Sequence, residues 1–154
     1  MKIDTTRFGE IEIAEESIVR MPDGMLGFES SRRFVLLEDR PDTAFKWLQA
    51  VDNPSPAFIV VNPVEFVPDY EIELSDEEAE SLDLGDPCDA VMLTTVTIGN
   101  GGKVTTNLLG PIVMNSRTLH ARQVVLQDDE RYGPKHTICE LPRVESRPER
   151  AKAA

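Results

Sequence analysis

The sequence predicts a mostly β, single-domain protein with an antiparallel β-barrel-like or sandwich fold and one short helix at about 75–84. Short runs of alternating or β-branched apolar residues recur along the chain, and glycine, proline and asparagine separate them. No long helices alternate with these runs, which argues against a parallel, doubly wound sheet. We expect the 154 residues to form one domain over 1–142, followed by a flexible polar tail over 143–154.

The first part of the chain predicts strands at 8–13, 17–21, 34–38, 45–51 and 57–61. The last of these runs is apolar throughout and is flanked by Pro56 and Pro63, so we expect it in the centre of the sheet. Between the second and third strands, a Pro-Asp-Gly turn at 22–24 begins a loop that presents Phe28. This aromatic side chain is either a partner contact or an anchor that holds the loop to the core.

The middle of the chain predicts one more strand and the helix. Residues 70–74 alternate apolar and polar, which is typical of a half-buried strand. Ser75 and Glu78 then form a capping box that starts the helix, and Gly85 is expected to end it. Acidic side chains fill the first turn, where each stabilises the helix by about 0.3–1 kcal/mol through its interaction with the helix dipole.

The rest of the chain is again β. We predict strands at 90–98, 103–108, 112–114, 118–126 and 135–141. A glycine-rich turn at 99–102 joins the first two as a hairpin. Gly110 and Pro111 must interrupt the ladder before the third, because proline has no N–H to donate.

The negative charge of the chain is concentrated in its middle third. The formal net charge is −12, and no Lys or Arg occurs between Lys46 and Lys103. That stretch holds twelve acids: Asp52, Glu65, Asp69, Glu71, Glu73, Asp76, Glu77, Glu78, Glu80, Asp83, Asp86 and Asp89. This charge argues against direct binding to nucleic acid or to anionic membranes and favours a basic protein partner. Solubility alone is the simpler explanation of the acidity.

The sequence offers no specific catalytic motif. His120 and His136 lack further ligands at metal-binding spacing, so no metal and no other cofactor is predicted. Cys88 and Cys139 lie far apart in the sequence, and we expect both to be reduced thiols. The first residues form no apolar signal and no apolar run approaches the ~20 residues of a membrane span, so we expect a cytoplasmic protein. An enzyme with a pair of carboxylates in a cleft stays open as an alternative.

Three polar or aromatic side chains of the second half are further candidates. Asn107 and Asn115 flank the Gly-Pro interruption, where their side chains could cap exposed backbone groups or meet a partner. Tyr132 lies in a turn with Gly133 and Pro134, and is either a surface contact or a lid over the core.

Five segments, taken in order, make the chain similar to a known family. They lie at 21–29, 47–63, 107–115, 123–126 and 132–136. Together they resemble the flagellar assembly factor FliW family over about residues 8–141. Gly110 and Met114 depart from the expected alanine and β-branched residue, which should only loosen local packing.

The resemblance implies a cytoplasmic, non-enzymatic β-barrel-like domain that regulates flagellar assembly. Such proteins bind flagellin and, alternately, the RNA-binding translational repressor CsrA, and so control flagellin translation. We expect the free protein to be monomeric. A dedicated flagellin chaperone with no role in translation is the alternative.

The resemblance and the charge pattern together suggest where partners bind. We assign CsrA to acidic residues of the middle third, namely Glu71, Glu73, Glu77, Glu78 and Glu80. The loop around Phe28 and the segment 107–115 are the candidates for flagellin, and Tyr132 is a further candidate contact.

Overall fold

The structure is a computed structural model that describes residues 1–38, 43–127 and 131–140. The described residues form eleven strands and one α-helix: β1 (Lys2–Thr5), β2 (Gly9–Glu12), β3 (Ile18–Arg20), β4 (Arg33–Leu37), β5 (Lys46–Ala50), β6 (Ala57–Val61), α1 (Asp76–Ser81), β7 (Ala90–Ile98), β8 (Lys103–Thr106), β9 (Ile112–Asn115), β10 (Ala121–Gln123) and β11 (His136–Glu140). The predicted tail at 143–154 lies outside the described residues. Within the described part, no helix is long and apolar enough to cross a membrane.

A curled antiparallel sheet of nine strands forms the body of the protein. Its main path runs β10-β9-β7-β6-β5-β4-β3, while β8 pairs with β7 and β11. The two edges of the path meet at one bridge between Arg20 and His120, where the Arg20 N–H donates to the Leu119 carbonyl at 3.0 Å. β1 and β2 form a separate hairpin. The predicted mostly β, barrel-like fold is therefore confirmed.

The long strand β7 explains the interruption at Gly110 and Pro111. Its first half pairs with β9 and its last three residues pair with β8, both on the side away from β6. Between β8 and β9 the chain must therefore stop pairing with β7, and Gly110 and Pro111 lie in this connection. The predicted break in the ladder is thus observed.

The core is built from the inner faces of the central strands. The largest cluster contains Phe34 of β4, Leu48 of β5 and Val60 of β6. Val61 is also fully buried, but it packs in a second cluster on the other face of the sheet. β6 is therefore covered on both faces at this end, as its uninterrupted apolar sequence predicts.

The helix starts as predicted but ends earlier. The Ser75 side chain accepts from the Glu78 N–H at 3.0 Å, and the Glu78 carboxylate accepts from the Ser75 N–H at 2.9 Å. After Ser81, Asp83 adopts a positive φ of 54°, and the Leu84 N–H donates to the Ala79 carbonyl at 2.9 Å. This Schellman-type ending uses Asp83 in the left-handed position. The prediction that Gly85 ends the helix is wrong.

Two strand predictions also need correction, and one strand was missed. Residues 70–74 alternate in exposure as predicted but pair with no strand of the described residues, since burial of Ile72 and Leu74 satisfies the pattern without a ladder. β1 was not predicted, because Ile3 is its only large apolar residue and its pairing with β2 supplies the rest. The strand predicted at 118–126 is reduced to β10, with 124–126 continuing outside the ladder.

Candidate functional site

The predicted acidic residues lie on an exposed surface around segment 70–74 and α1. Glu71, Glu73, Glu77 and Glu80 are exposed, and within the described part of the chain none of them forms an ion pair. Glu78 is half-buried and is used by the capping box. The local structure therefore leaves most of these charges without a cation to neutralise them.

A groove of about 780 Å³ runs beside these acids, and we call it the acidic groove. Its lining joins three stretches that are distant in sequence: Glu71, Ile72, Glu73, Ser75, Glu77 and Glu78; Arg122, Val124, Val125, Leu126 and Gln127; and Arg131 and Tyr132. Apolar side chains from the first two stretches line it, and carboxylates outnumber the two arginines. A second, more apolar depression of about 420 Å³ lies between Ile72, Leu74 and strand β7.

Two tyrosines anchor segment 70–74 at its start. The Tyr70 and Tyr132 rings meet edge to face, with centroids 4.6 Å apart. The Tyr70 hydroxyl donates to the Leu108 carbonyl at 2.7 Å, and the Tyr132 oxygen accepts from the Glu71 N–H at 3.2 Å. Burial, and to a lesser degree the neighbouring Tyr132, raises the pKa of Tyr70 well above its ordinary value, so this hydroxyl stays protonated. Tyr132 is buried, which fits the interpretation of this residue as a lid over the core.

Both asparagines cap backbone groups, but only Asn107 does so at the Gly-Pro interruption. Its Oδ1 accepts from the N–H groups of Leu109 and Gly110 at 3.0 and 3.1 Å. Asn115 has no exposed surface, so its side chain presents nothing to a partner. The structure therefore corrects its expected position at a docking surface.

Asn115 instead ties β9 to the end of α1. Its Nδ2 donates to the carbonyls of Leu82 and Asp83 at 2.9 and 3.1 Å. Its Oδ1 accepts from the N–H groups of Arg117 and Thr118 at 2.8 and 3.2 Å. This one side chain links the end of the helix that carries the acids to β9 through two hydrogen bonds.

The loop before β4 presents an apolar tip. Leu26 is 61% exposed and Phe28 is 42% exposed, although the Phe28 ring also meets Phe58 edge to face at 5.0 Å. Phe28 is thus both an anchor and an accessible surface. Gly24 allows the tight turn, since it has a φ of +69° and a Cβ there would lie 2.7 Å from the Glu29 Cα.

Metal-ligating side chains do not cluster in the described part of the chain. No three His, Cys, Asp or Glu side chains among these residues are grouped so as to hold a metal ion. Cys88 and Cys139 are both free thiols. The carboxylates of the acidic groove lie beside apolar side chains and the start of the helix.

Sequence reasoning found the acidic wall of the groove but missed the opposite wall. Arg122, Val124 and Val125 were interpreted only as parts of a strand. Val125 is 52% exposed, and its position beside two other apolar residues was the only local signal. No pattern within either stretch indicates that they line one groove, because their contact depends on how β10 and α1 pack together.

Comparisons with known proteins agree with the predicted resemblance. The family described as FliW protein matches residues 2–138. The flagellar assembly factor FliW of Geotalea uraniireducens is 42% identical over 160 residues, covering 98% of this chain and 97% of that protein. The corresponding factor of Geobacter sulfurreducens is 46% identical over 137 residues, covering 88% and 85%. A solved crystal structure of the flagellar assembly factor FliW superposes with a TM-score of 0.81 at 36% identity, over 90% of this chain and 97% of that one. By sequence and by fold, the chain belongs to the FliW family of flagellar assembly factors.

Proposed function

We propose that this flagellar assembly factor is a non-enzymatic cytoplasmic regulator that binds flagellin and, alternately, the RNA-binding repressor CsrA. When flagellin is scarce, the free, monomeric factor holds CsrA and relieves repression of flagellin translation. When flagellin accumulates, it captures the factor and repression returns. Membership in the family supports a role in flagellar assembly, and the charge distribution supports the basic partner.

The observation that carries the proposal is the unneutralised acidic surface. Some acids of the middle third have local partners: Asp52 pairs with Arg33, and both Asp83 and Asp89 pair with Arg117. The exposed carboxylates of 71–80 have no such cation within the described part of the chain. A protein that binds RNA must present basic surface, and this surface complements it.

The flagellin contact in this proposal is the apolar tip of the loop before β4. Leu26 and Phe28 are large, exposed and only two positions apart in the chain. An apolar contact of this kind suits a partner that buries hydrophobic surface. Phe28→Ser should weaken flagellin binding and leave CsrA binding unchanged.

Charge reversal on the acidic surface tests the CsrA assignment. Glu73, Glu77 and Glu80 are changed together to Lys, and Glu78 is left intact because it closes the capping box. The matched control reverses Asp4, Glu10 and Glu16, which are exposed acids outside the acidic stretch. We expect the first variant alone to bind CsrA more weakly and with a flatter dependence on salt. Equal binding by both variants would refute the assignment.

Competition between the two partners separates this proposal from a dedicated chaperone. The tagged protein is loaded with CsrA and flagellin is then titrated in, with release of CsrA measured by pull-down. Release at stoichiometric flagellin supports the switch. Binding of flagellin with no detectable binding of CsrA would favour the chaperone alternative.

A further inference from the structure

Segment 70–74 has the pattern of a strand, but no strand among the described residues pairs with it. Exposure alternates along it, with Glu71 and Glu73 outward and Ile72 and Leu74 half-buried. The N–H of Glu71 reaches Tyr132, but within the described part of the chain the N–H and carbonyl groups of 72–74 form no hydrogen bond. Such unpaired main-chain groups are the feature by which a sheet edge accepts another strand.

The opposite wall of the acidic groove has a free edge as well. The chain continues from β10 with the Val124 and Leu126 N–H groups donating to Pro111 and Leu109 carbonyls, both at 2.8 Å. In an extended chain the groups of the intervening residue point the other way. The N–H and carbonyl of Val125 accordingly have no partner in the described residues, and Val125 lines the groove.

We infer that the acidic groove binds an extended, basic segment of the partner protein, which adds as a strand to one of these free edges. The inference rests on the proposed function for the existence of a basic partner, and it adds the conformation and chemistry of the bound segment. Apolar side chains of that segment would contact Ile72, Val124 and Leu126. Its Lys or Arg side chains would meet the carboxylates of Glu71, Glu73 and Glu77 at the rim.

Charge selects this occupant over the other candidates. A second copy of the chain would bring the same carboxylates face to face, which is unfavourable. The chain's own residues 143–154 carry four bases and two acids, but only one apolar residue larger than alanine, Val144. That segment offers no alternating apolar residues for the groove, so the occupant comes from a partner.

A synthetic peptide tests the inference directly. The probe is acetyl-Lys-Val-Lys-Val-Lys-Val-amide, and the controls are the glutamate analogue and two forms N-methylated at every valine or at every lysine. N-methylation removes main-chain donors on one edge and keeps the charge. We expect the parent to bind, the glutamate analogue not to bind, and one methylated form to lose roughly tenfold in affinity, the effect of leaving one main-chain carbonyl of the edge without its donor. Equal binding of the parent and both methylated forms would overturn the inference.

Amide hydrogen exchange on the full chain locates the bound strand. Binding should slow exchange at Val125 or at Glu73, whose main-chain groups form no hydrogen bond within the described residues of the free protein. Protection confined to other regions would overturn the inference. A second result would also overturn the inference, namely that these amides are already protected in the free chain and lose that protection when Arg147 and Arg150 are changed to Glu. The occupant would then be the chain's own C-terminal segment.

A pair of variants keeps this test distinct from the test of the proposed function. Val125→Pro removes the unpaired N–H, whereas Val125→Ala keeps it and shortens the same side chain. Where the segment adds at Val125, we expect the proline variant to lose the peptide and the RNA-binding partner, and the alanine variant to bind both more tightly than the proline variant does. If the proline variant binds that partner normally and binding does not slow exchange at Glu73, the groove inference fails and the proposed function stands. If the wild type binds the peptide but not that partner, the proposed function fails.

Discussion

Asn115 contributes to the attachment of α1 to the sheet, and Asn115→Ala should measure that contribution. The variant removes a fully buried amide and its four hydrogen bonds, two donated by Nδ2 and two accepted by Oδ1. The Leu82 carbonyl lies in buried surroundings, and leaving it unpaired costs about 1–3 kcal/mol. The other three bonds are partly buried, and water can replace part of each, so we assign about 0.5 kcal/mol apiece.

The expected loss in the free energy of unfolding is therefore about 3 kcal/mol. For a chain of this size the midpoint of thermal unfolding should fall by roughly 2–4 °C per kcal/mol. Urea denaturation followed by circular dichroism measures the loss, and amide exchange at Arg117 and Thr118 shows whether their N–H groups are released. Asn107→Ala is the matched control, since it removes two contacts from a half-buried side chain and should cost about 1 kcal/mol.

A loss below about 1 kcal/mol for Asn115→Ala would refute this reasoning, because a single ordinary hydrogen bond is worth that much. It would show that the four backbone groups find other partners when the amide is absent. A loss equal to that of Asn107→Ala would lead to the same conclusion.

Three further predictions concern the helix start, the apolar loop and the tyrosine pair. Ser75→Ala removes the cap of α1 and should cost about 1 kcal/mol in urea denaturation, and an unchanged midpoint would contradict this. Gly24→Ala places a Cβ 2.7 Å from Glu29 at positive φ and should cost about 1–2 kcal/mol, with weaker flagellin binding in a pull-down. Tyr70 has a raised pKa, so its contribution is complete below the unfolded pKa near 10 and falls as pH rises beyond it. Tyr70→Phe should flatten that decline in denaturation between about pH 9 and 11.

Local signals predicted those elements whose causes are local. The capping box at Ser75 and Glu78 involves residues three apart, and it is present as predicted. The uninterrupted apolar run of β6 reports burial on both faces, which follows from its own side chains. The end of the helix was mispredicted although it is also local, because Asp83 takes the left-handed position that Gly85 would fill more easily.

The candidate site was only half visible in the sequence. The gap in positive charge between Lys46 and Lys103 identified the acidic wall. The positions of Arg122, Val124 and Val125 depend on the packing of β10 and its continuation, which no periodicity describes. Asn115 was singled out as a polar residue at the end of an apolar run, but the two carbonyls to which its Nδ2 donates lie more than thirty positions away in sequence.

The sequence by itself determined the β class, the family and the concentration of acid in the middle third, because composition, alternation and motif order are properties of the chain. Only the tertiary structure decided that the sheet curls until Arg20 meets His120, and that segment 70–74 pairs with no strand in the part of the chain that the structure describes. The physical reason is that alternation specifies which side chains turn inward, whereas a ladder also needs a second chain segment at hydrogen-bonding distance. Whether a second segment lies at that distance depends on the path of the whole chain.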